Sequence, residues 1–220
     1  MTKVKMVRNV LEKNDKLAEQ IREMGDNSKT VLFNMMGTPG AGKTTLLESI
    51  IPALKEDYKM GVVEGDVATA NDADRIAALD VATAQVNTDR FGGTCHLGSE
   101  MVKPALEKIN YDQLDIVIIE NIGNLICPAH FDIGAHYNIA VVSITEGVDK
   151  PAKYPLMFRN SKLAILNKID LLEHLNIDIE EMVAGIKQIN PDIDILKMSA
   201  LQPNDGIALN KWIKKRGRRK

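Results

Sequence analysis

Hydrophobic and polar positions fall into two patterns along this chain. From about Val4 to Met24, the apolar residues Val7, Val10, Leu11, Leu17 and Ile21 recur at spacings near three and four among many charges. That spacing predicts an amphipathic helix, which Gly25-Asp26-Asn27-Ser28 is expected to end. Beyond it, short β-rich runs alternate with helical stretches: Val31–Met36, Gly61–Glu64, Leu114–Ile119, Ile139–Ile144, Leu163–Leu166 and Ile193–Met198. Several runs are apolar on consecutive residues, as parallel strands covered on both faces require. The alternation predicts an α/β fold, doubly wound about a mainly parallel sheet. No internal repeat or low-complexity linker interrupts it.

With 220 residues, the chain suits one full α/β domain better than two. The expected division is a helical extension over 1–28, a nucleotide-binding domain over 29–213 and a basic tail over 214–220. No run approaches the roughly 18 apolar residues of a membrane span, and the N-terminus lacks a signal-peptide core, so the expected compartment is the cytoplasm. A net charge of −2 argues against nucleic acid as a partner. The tail, Lys214-Lys215-Arg216-Gly217-Arg218-Arg219-Lys220, is expected to be solvated and frayed. Two cysteines, Cys95 and Cys127, are too few for a disulfide scaffold and read as free thiols or metal ligands. The ten methionines mostly occupy apolar positions and read as core filling. His136 and His174 read as surface residues.

The clearest chemistry lies in Gly37-Thr38-Pro39-Gly40-Ala41-Gly42-Lys43-Thr44, a complete G-x-x-x-x-G-K-[ST] between a strand and the helix beginning near Thr45. Glycines let backbone N–H groups turn inward around a phosphate, and the helix N-terminus adds partial positive charge. Lys43 is expected to bridge the outer phosphates and Thr44 to ligate Mg²⁺. Asp66, Asp72 and Glu120 stand at predicted strand ends, where carboxylates for the same Mg²⁺ are needed. Glu120-Asn121-Ile122-Gly123 looks like D-x-x-G with Glu for Asp, which makes the Gly123 N–H a γ-phosphate sensor. Asp66 or Asp72 is the candidate for orienting the hydrolytic water; no arginine finger is identifiable, though Arg75 lies in the right segment.

Asn167-Lys168-Ile169-Asp170 follows another apolar run and reads as a guanine reader. The Asp170 carboxylate accepts from the ring N–H and exocyclic amine, a pair of donors that adenine lacks. Asn167 is expected at the purine's other edge, the Lys168 stem over its face, and Ser199-Ala200 as a loop offering a backbone N–H to the base oxygen. The implied ligand is GTP with Mg²⁺. A second cluster, Cys95, His96 and Cys127, has the donors for Zn²⁺ or Ni²⁺. Three ligands leave a tetrahedral site incomplete, so a site shared across a two-fold homodimer is expected. His130 and Asp132 are candidate additions to that shell.

These segments, with Cys95-His96-Leu97, Glu120 to Pro128, Thr145-Glu146-Gly147 and Lys150-Pro151-Ala152-Lys153-Tyr154-Pro155, closely resemble the nickel-incorporation GTPases of hydrogenase maturation. The resemblance runs from about residue 30 to 200. It implies a P-loop GTPase of the SIMIBI type, which dimerises across its nucleotides. It further implies delivery of nickel to the hydrogenase large-subunit precursor beside a zinc-binding nickel-chaperone partner. By the same resemblance Cys95, His96 and Cys127 are the metal ligands, and Lys153 reaches the nucleotide bound by the partner subunit. Unlike many relatives, this sequence has no N-terminal cysteine cluster or histidine-rich stretch. A urease-type nickel accessory GTPase is the near alternative and a P-loop small-molecule kinase the distant one.

Overall fold

The structure, a computed structural model, describes residues 2–66, 71–91, 93–202 and 204–217. Its elements run α1 (Thr2–Ser28), β1 (Val31–Gly37), α2 (Lys43–Leu54), β2 (Met60–Asp66), α3 (Asn71–Ala77), β3 (Ala82–Asn87), α4 (Ser99–Lys108) and β4 (Ile116–Glu120). They continue with α5 (Cys127–His130), β5 (Tyr137–Ser143), α6 (Lys150–Lys153), α7 (Pro155–Arg159), β6 (Leu163–Asn167), α8 (Ile179–Ile189), β7 (Asp194–Lys197) and α9 (Gly206–Gly217). The strands form one sheet in the order β3-β2-β4-β1-β5-β6-β7, with every pairing parallel.

Alternate side chains of each central strand feed opposite layers. Phe33, Val62, Ile118, Val141 and Ile165 pack beneath α2 and α9. On the other face Leu32, Val63, Val117 and Ile119 meet α1 and α4, while Val142 and Leu166 meet α7 and α8. Both faces are covered, which is why the central strands read as continuous apolar runs. The expected strands all exist. One more, β3, lay outside the sequence reading because an edge strand buries only Ala84 and Val86 of Ala-Thr-Ala-Gln-Val-Asn. So weak an alternation carries little hydrophobic signal.

Three expectations change. Gly25 does not end α1, which continues through Ser28 to the left-handed Lys29 at φ 64°. Gly25 is there for packing, since a Cβ at that position would lie 2.7 Å from the His136 ring. His136 is therefore not a surface residue: its side chain is 6 % exposed, and Nδ1 accepts the Leu32 N–H at 2.8 Å. His174, in contrast, is exposed. The basic stretch is not frayed where it is described. Lys214 pairs with Asp57 at 2.5 Å and Arg216 with Asp194 at 2.8 Å, its guanidinium 3.8 Å from the Trp212 ring centre. Cations in the last turn of α9 also meet the negative end of that helix. Residues 218–220 of the expected tail lie outside the described residues. Among those described, no helix is long and apolar enough to cross a membrane.

Candidate functional site

The loop leaving β1 is shaped by backbone that only small residues permit. Gly40 and Gly42 take φ of 74° and 93°, the left-handed region. A Cβ on Gly42 would stand 2.5 Å from Asn167 Nδ2, and one on Gly37 2.3 Å from the Val141 carbonyl. Ala41 is fully buried behind them. Lys43 opens α2 with its amine 7 % exposed, 3.4 Å from the Thr38 carbonyl and 4.0 Å from Glu120 Oε1. Thr38 donates its hydroxyl to Glu146, which also caps Ser143, so the Thr145-Glu146-Gly147 loop is tied to the phosphate loop.

A cavity of about 530 Å³ opens in front of this loop, walled by Lys43, Thr44, Asp66, Asp72, Glu120 and Gly123. It joins a second of about 300 Å³ at Gly42, Thr45 and Lys168, where Asp170, Ser199 and Ala200 complete the wall. Two connected chambers, one lined by charge and the other mostly apolar, suit a phosphate chain and a base. A larger hollow of about 850 Å³ lies at the opposite edge of the sheet around Lys59, Asn110 and Asp115, away from every motif.

Within the phosphate chamber the carboxyls are unusual. Thr44 donates to Glu120 Oε1 at 2.9 Å, while Glu120 Oε2 and the buried Glu64 Oε2 have no partner. Glu64 and Glu120 are register partners on neighbouring strands. Burial first, and then the charges of Glu120, Asp66 and Asp72, push Glu64 up to about 8. Burial pushes Glu120 up to about 7, against the Lys43 cation and the Thr44 hydrogen bond. Two orphaned carboxylate oxygens beside a threonine hydroxyl fit a hard, oxygen-seeking cation such as Mg²⁺. Glu64 was not singled out from the sequence. The available signal was an acidic residue directly after the apolar run Val62-Val63.

Because the folded pKa of Glu64 lies above the value near 4.5 of an open chain, its contribution to stability is present at low pH and lost as pH rises through about 8. Glu64→Gln, which cannot ionise, should match the Mg²⁺-free parent in urea at pH 5. The variant should become progressively the more stable of the two between about pH 5 and 8, with no further change above that. A difference independent of pH would contradict the burial of this charge.

Asp66 closes β2 half-buried on the cavity wall. Asp72 stands in the first turn of α3 and pairs with Arg75 at 2.7 Å. Arg75 also binds Glu48 at 2.6 Å, and these anions raise its pKa further. Within one protomer Arg75 is thus held at the chamber wall. Gly123 presses on the phosphate loop, with room for no Cβ (Pro39 N would be 2.7 Å away). Asn124 donates its N–H to the Gly37 carbonyl at 2.9 Å. Lys153 pairs with Asp149 on α6 and is not part of either chamber wall.

At the base chamber several of the expected groups bond within the protein. Asn167 is 1 % exposed and donates to the Ala41 carbonyl at 2.8 Å while accepting the Ala200 N–H at 3.1 Å. Its amide holds the phosphate loop to the base loop, and one of its two Nδ2 hydrogens is not used by these bonds. The Ser199 N–H likewise goes to Asp205 Oδ2 at 2.5 Å, so neither backbone N–H of Ser199-Ala200 points unpaired at a base oxygen. Lys168, left-handed at φ 65°, lines both chambers and donates to the Gly40 carbonyl at 2.7 Å. Asp170 Oδ1 is buried and has no partner.

The ligand atoms of Cys95, His96 and Cys127 all lie within 4.8 Å of one another, with the two sulfurs 2.8 Å apart. His96 stacks on Phe131, ring centres 3.9 Å apart, and its buried Nδ1 has no partner. Burial lowers the His96 pKa, which keeps a nitrogen lone pair free. Two thiols and an orphaned imidazole nitrogen fit a borderline-soft ion. Asp132 does not join them, because its carboxylate faces Arg22 at 2.6 Å. His130 is likewise outside this cluster among the described residues. Phe131 is a further residue that sequence reading missed, and the bond of Glu146 to Thr38 was not legible there either, since both roles depend on partners distant in the chain.

Residues 31–197 match the family model for the CobW/HypB/UreG nucleotide-binding domain. The hydrogenase maturation factor HypB of Escherichia coli K12 is 44 % identical over 204 residues, spanning 93 % of this chain and 68 % of that one. Among solved structures, HypB from Helicobacter pylori in complex with nickel gives a TM-score of 0.87 at 34 % identity, over 93 % of this chain and 95 % of that one. HypB from Archaeoglobus fulgidus gives 0.87 at 35 %, over 94 % and 100 %.

Proposed function

The chain belongs to the CobW/HypB/UreG family, among its HypB hydrogenase maturation factors, and we propose that it is a GTP-hydrolysing metallochaperone serving nickel insertion into nickel–iron hydrogenase. One observation carries this reading. The segment from Glu120 to Cys127 holds, in succession, the acid bonded to Thr44, the glycine pressed on Pro39 and a ligand of the Cys/His cluster. Nucleotide and metal therefore bear on one short stretch of chain. By linkage, any effect of nucleotide on metal affinity is matched by an equal effect of metal on nucleotide affinity.

In this reading GTP lies with its phosphates against Gly37 to Thr44 and its base beside Lys168 and Asp170. Mg²⁺ would be held by Thr44 and Glu120, with Asp66 and Asp72 near it, and it supplies neutralisation of phosphate charge. Water attacks the γ-phosphorus in line, the bond to the bridging oxygen breaks, and GDP and inorganic phosphate leave. Asp66 or Asp72 orients that water. The side-chain oxygen of Asn124 accepts the Ile126 N–H and so is not free to orient water as a glutamine would, and Arg75 is occupied by Glu48 and Asp72. Slow intrinsic turnover follows. The active form is a homodimer, in which Lys153 of one subunit reaches the other's nucleotide and the Cys/His clusters are shared. Its partners are a zinc-binding nickel chaperone and the hydrogenase large-subunit precursor in the cytoplasm, and the carried ion is Ni²⁺ or Zn²⁺.

Titrating the metal-free protein with Ni²⁺ or Zn²⁺ in the presence of a GTP analogue or GDP, while recording mass, tests the switch. Affinity and mass should both differ between the two nucleotides; identical values would sink the proposal. Cys95→Ser should weaken metal binding by at least about 100-fold, removing one thiolate of three ligands. Retained tight binding would show the ion sits elsewhere. Capture of a urease precursor in place of a hydrogenase precursor would favour the urease-type alternative.

A further inference from the structure

Asparagine is a poor residue for the middle of a parallel sheet, since it buries little apolar area and brings an amide to be satisfied. Yet Asn34, in the centre of β1, is 1 % exposed, and Asn121, directly after β4, is fully buried. Their side chains form a chain of hydrogen bonds. Asn121 Nδ2 donates to Asn34 Oδ1 at 3.1 Å, and Asn34 Nδ2 donates to Asn138 Oδ1 at 2.9 Å. Asn138 Nδ2 donates to the Asn160 carbonyl at 3.1 Å, and the Asn160 side chain donates to the Ala129 carbonyl at 2.9 Å. At the other end Asn121 Oδ1 accepts the N–H of Leu97 at 3.2 Å and of Ile122 at 3.0 Å.

The ends of this chain are informative. Leu97 follows the ligand His96, and Ala129 stands two residues after the ligand Cys127. Between them Asn121 belongs to the Glu120–Gly123 segment, one residue beyond the acid bonded to Thr44. Every link donates in the same sense, from Leu97 towards Ala129, so the amide dipoles reinforce one another. An apolar side chain at position 34 would pack the sheet without this demand. At its buried end, Asn121 and Asn34, a bonded amide pair specifies one arrangement of the segments attached to it, and a shift of either leaves the other's groups unpaired.

We propose that Asn121, Asn34, Asn138 and Asn160 are positioning residues that transmit the state of the nucleotide-facing segment to both metal-ligand segments. The inference rests on the proposed coupling of nucleotide and metal and names the side chains that carry it. Movement of Asn121 with the γ-phosphate sensor shifts the acceptor of the Leu97 N–H and, through Asn34 and Asn138, the support of the Cys127 helix.

The test is titration of Ni²⁺ into full-length protein with a non-hydrolysable GTP analogue, with GDP, and without nucleotide. It compares the parent, Asn34→Leu and Asn160→Ala. In the parent, metal affinity should differ between the two nucleotide states by about 5–150-fold, the usual span of allosteric coupling. In both variants the ratio should fall by about 2–30-fold from the parental value, the arm towards Cys127 being cut while that from Asn121 to Leu97 remains, with the nucleotide affinity of the metal-free protein unchanged and nucleotide-free metal affinity within a few-fold of the parent. Asn160 is exposed at the far end of the network, so its variant decides the matter if Asn34→Leu fails to fold. A parental ratio with undiminished ratios in the folded variants overturns the relay and leaves the switch standing. So does a uniform loss of metal affinity with the ratio intact, which marks a purely structural role. A parental ratio of one overturns the switch itself and the relay with it.

Discussion

Asp170→Asn is expected to move this protein's preference from guanine to xanthine nucleotides. The buried Asp170 Oδ1 has no partner in its chamber, and an acceptor left so costs stability until a donor arrives. The guanine ring N–H and exocyclic amine supply two donors. An asparagine at this place keeps one acceptor and turns a donor towards the amine, whereas xanthine has a carbonyl there and accepts it. Sites that hydrogen-bond a substrate group reject the analogue lacking it by about 10⁴-fold, so the ratio of GTP to xanthosine triphosphate affinity should fall by roughly that factor. Competition against a fluorescent guanine nucleotide measures it. A variant with parental GTP affinity would remove Asp170 from the base site.

Lys43→Ala should abolish useful GTP binding. The amine is almost fully buried, and the anions around it are the carboxylate of Glu120 and, when present, the phosphates. Removing one partner of a buried charged interaction costs about 3–5 kcal/mol, which is about 150- to 4,000-fold in affinity. Calorimetric titration of GTP with Mg²⁺ reads this directly, with circular dichroism to establish that α2 and the sheet persist. The same substitution removes the cation that lowers the Glu120 pKa, so the carboxyl should hold its proton to still higher pH. A loss below about fivefold would mean that the phosphates do not lie against this loop.

The two variants separate the chambers. Asp170→Asn should leave triphosphate binding as such intact, since inorganic triphosphate touches only the charged chamber. Lys43→Ala should weaken guanine and xanthine nucleotides alike. Neither substitution alters the Cys95, His96 and Cys127 donors, so nucleotide-free metal affinity should stay near the parental value in both.

What could be read from the sequence was whatever depends on neighbours along the chain. Runs such as Ile116–Ile119 imply strands buried on both faces, and a contiguous Gly37–Thr44 between strand and helix implies a phosphate loop. The family likeness rests on the same kind of contiguous segment. Cys95, His96 and Cys127 were legible as a donor set from their chemistry, while the fold brings their ligand atoms within 4.8 Å of one another. The tertiary structure alone decided which side chains meet across long separations. Asn167 grips Ala41 from 126 residues away, His136 accepts a hydrogen from Leu32 across 104, and Glu64 becomes a raised-pKa partner of Glu120 only when β2 and β4 pair. The physical reason is that periodicity and turn chemistry act over a few residues. Burial of a polar group and the partner that satisfies it are instead set by the order of strands in the sheet, which no local pattern encodes.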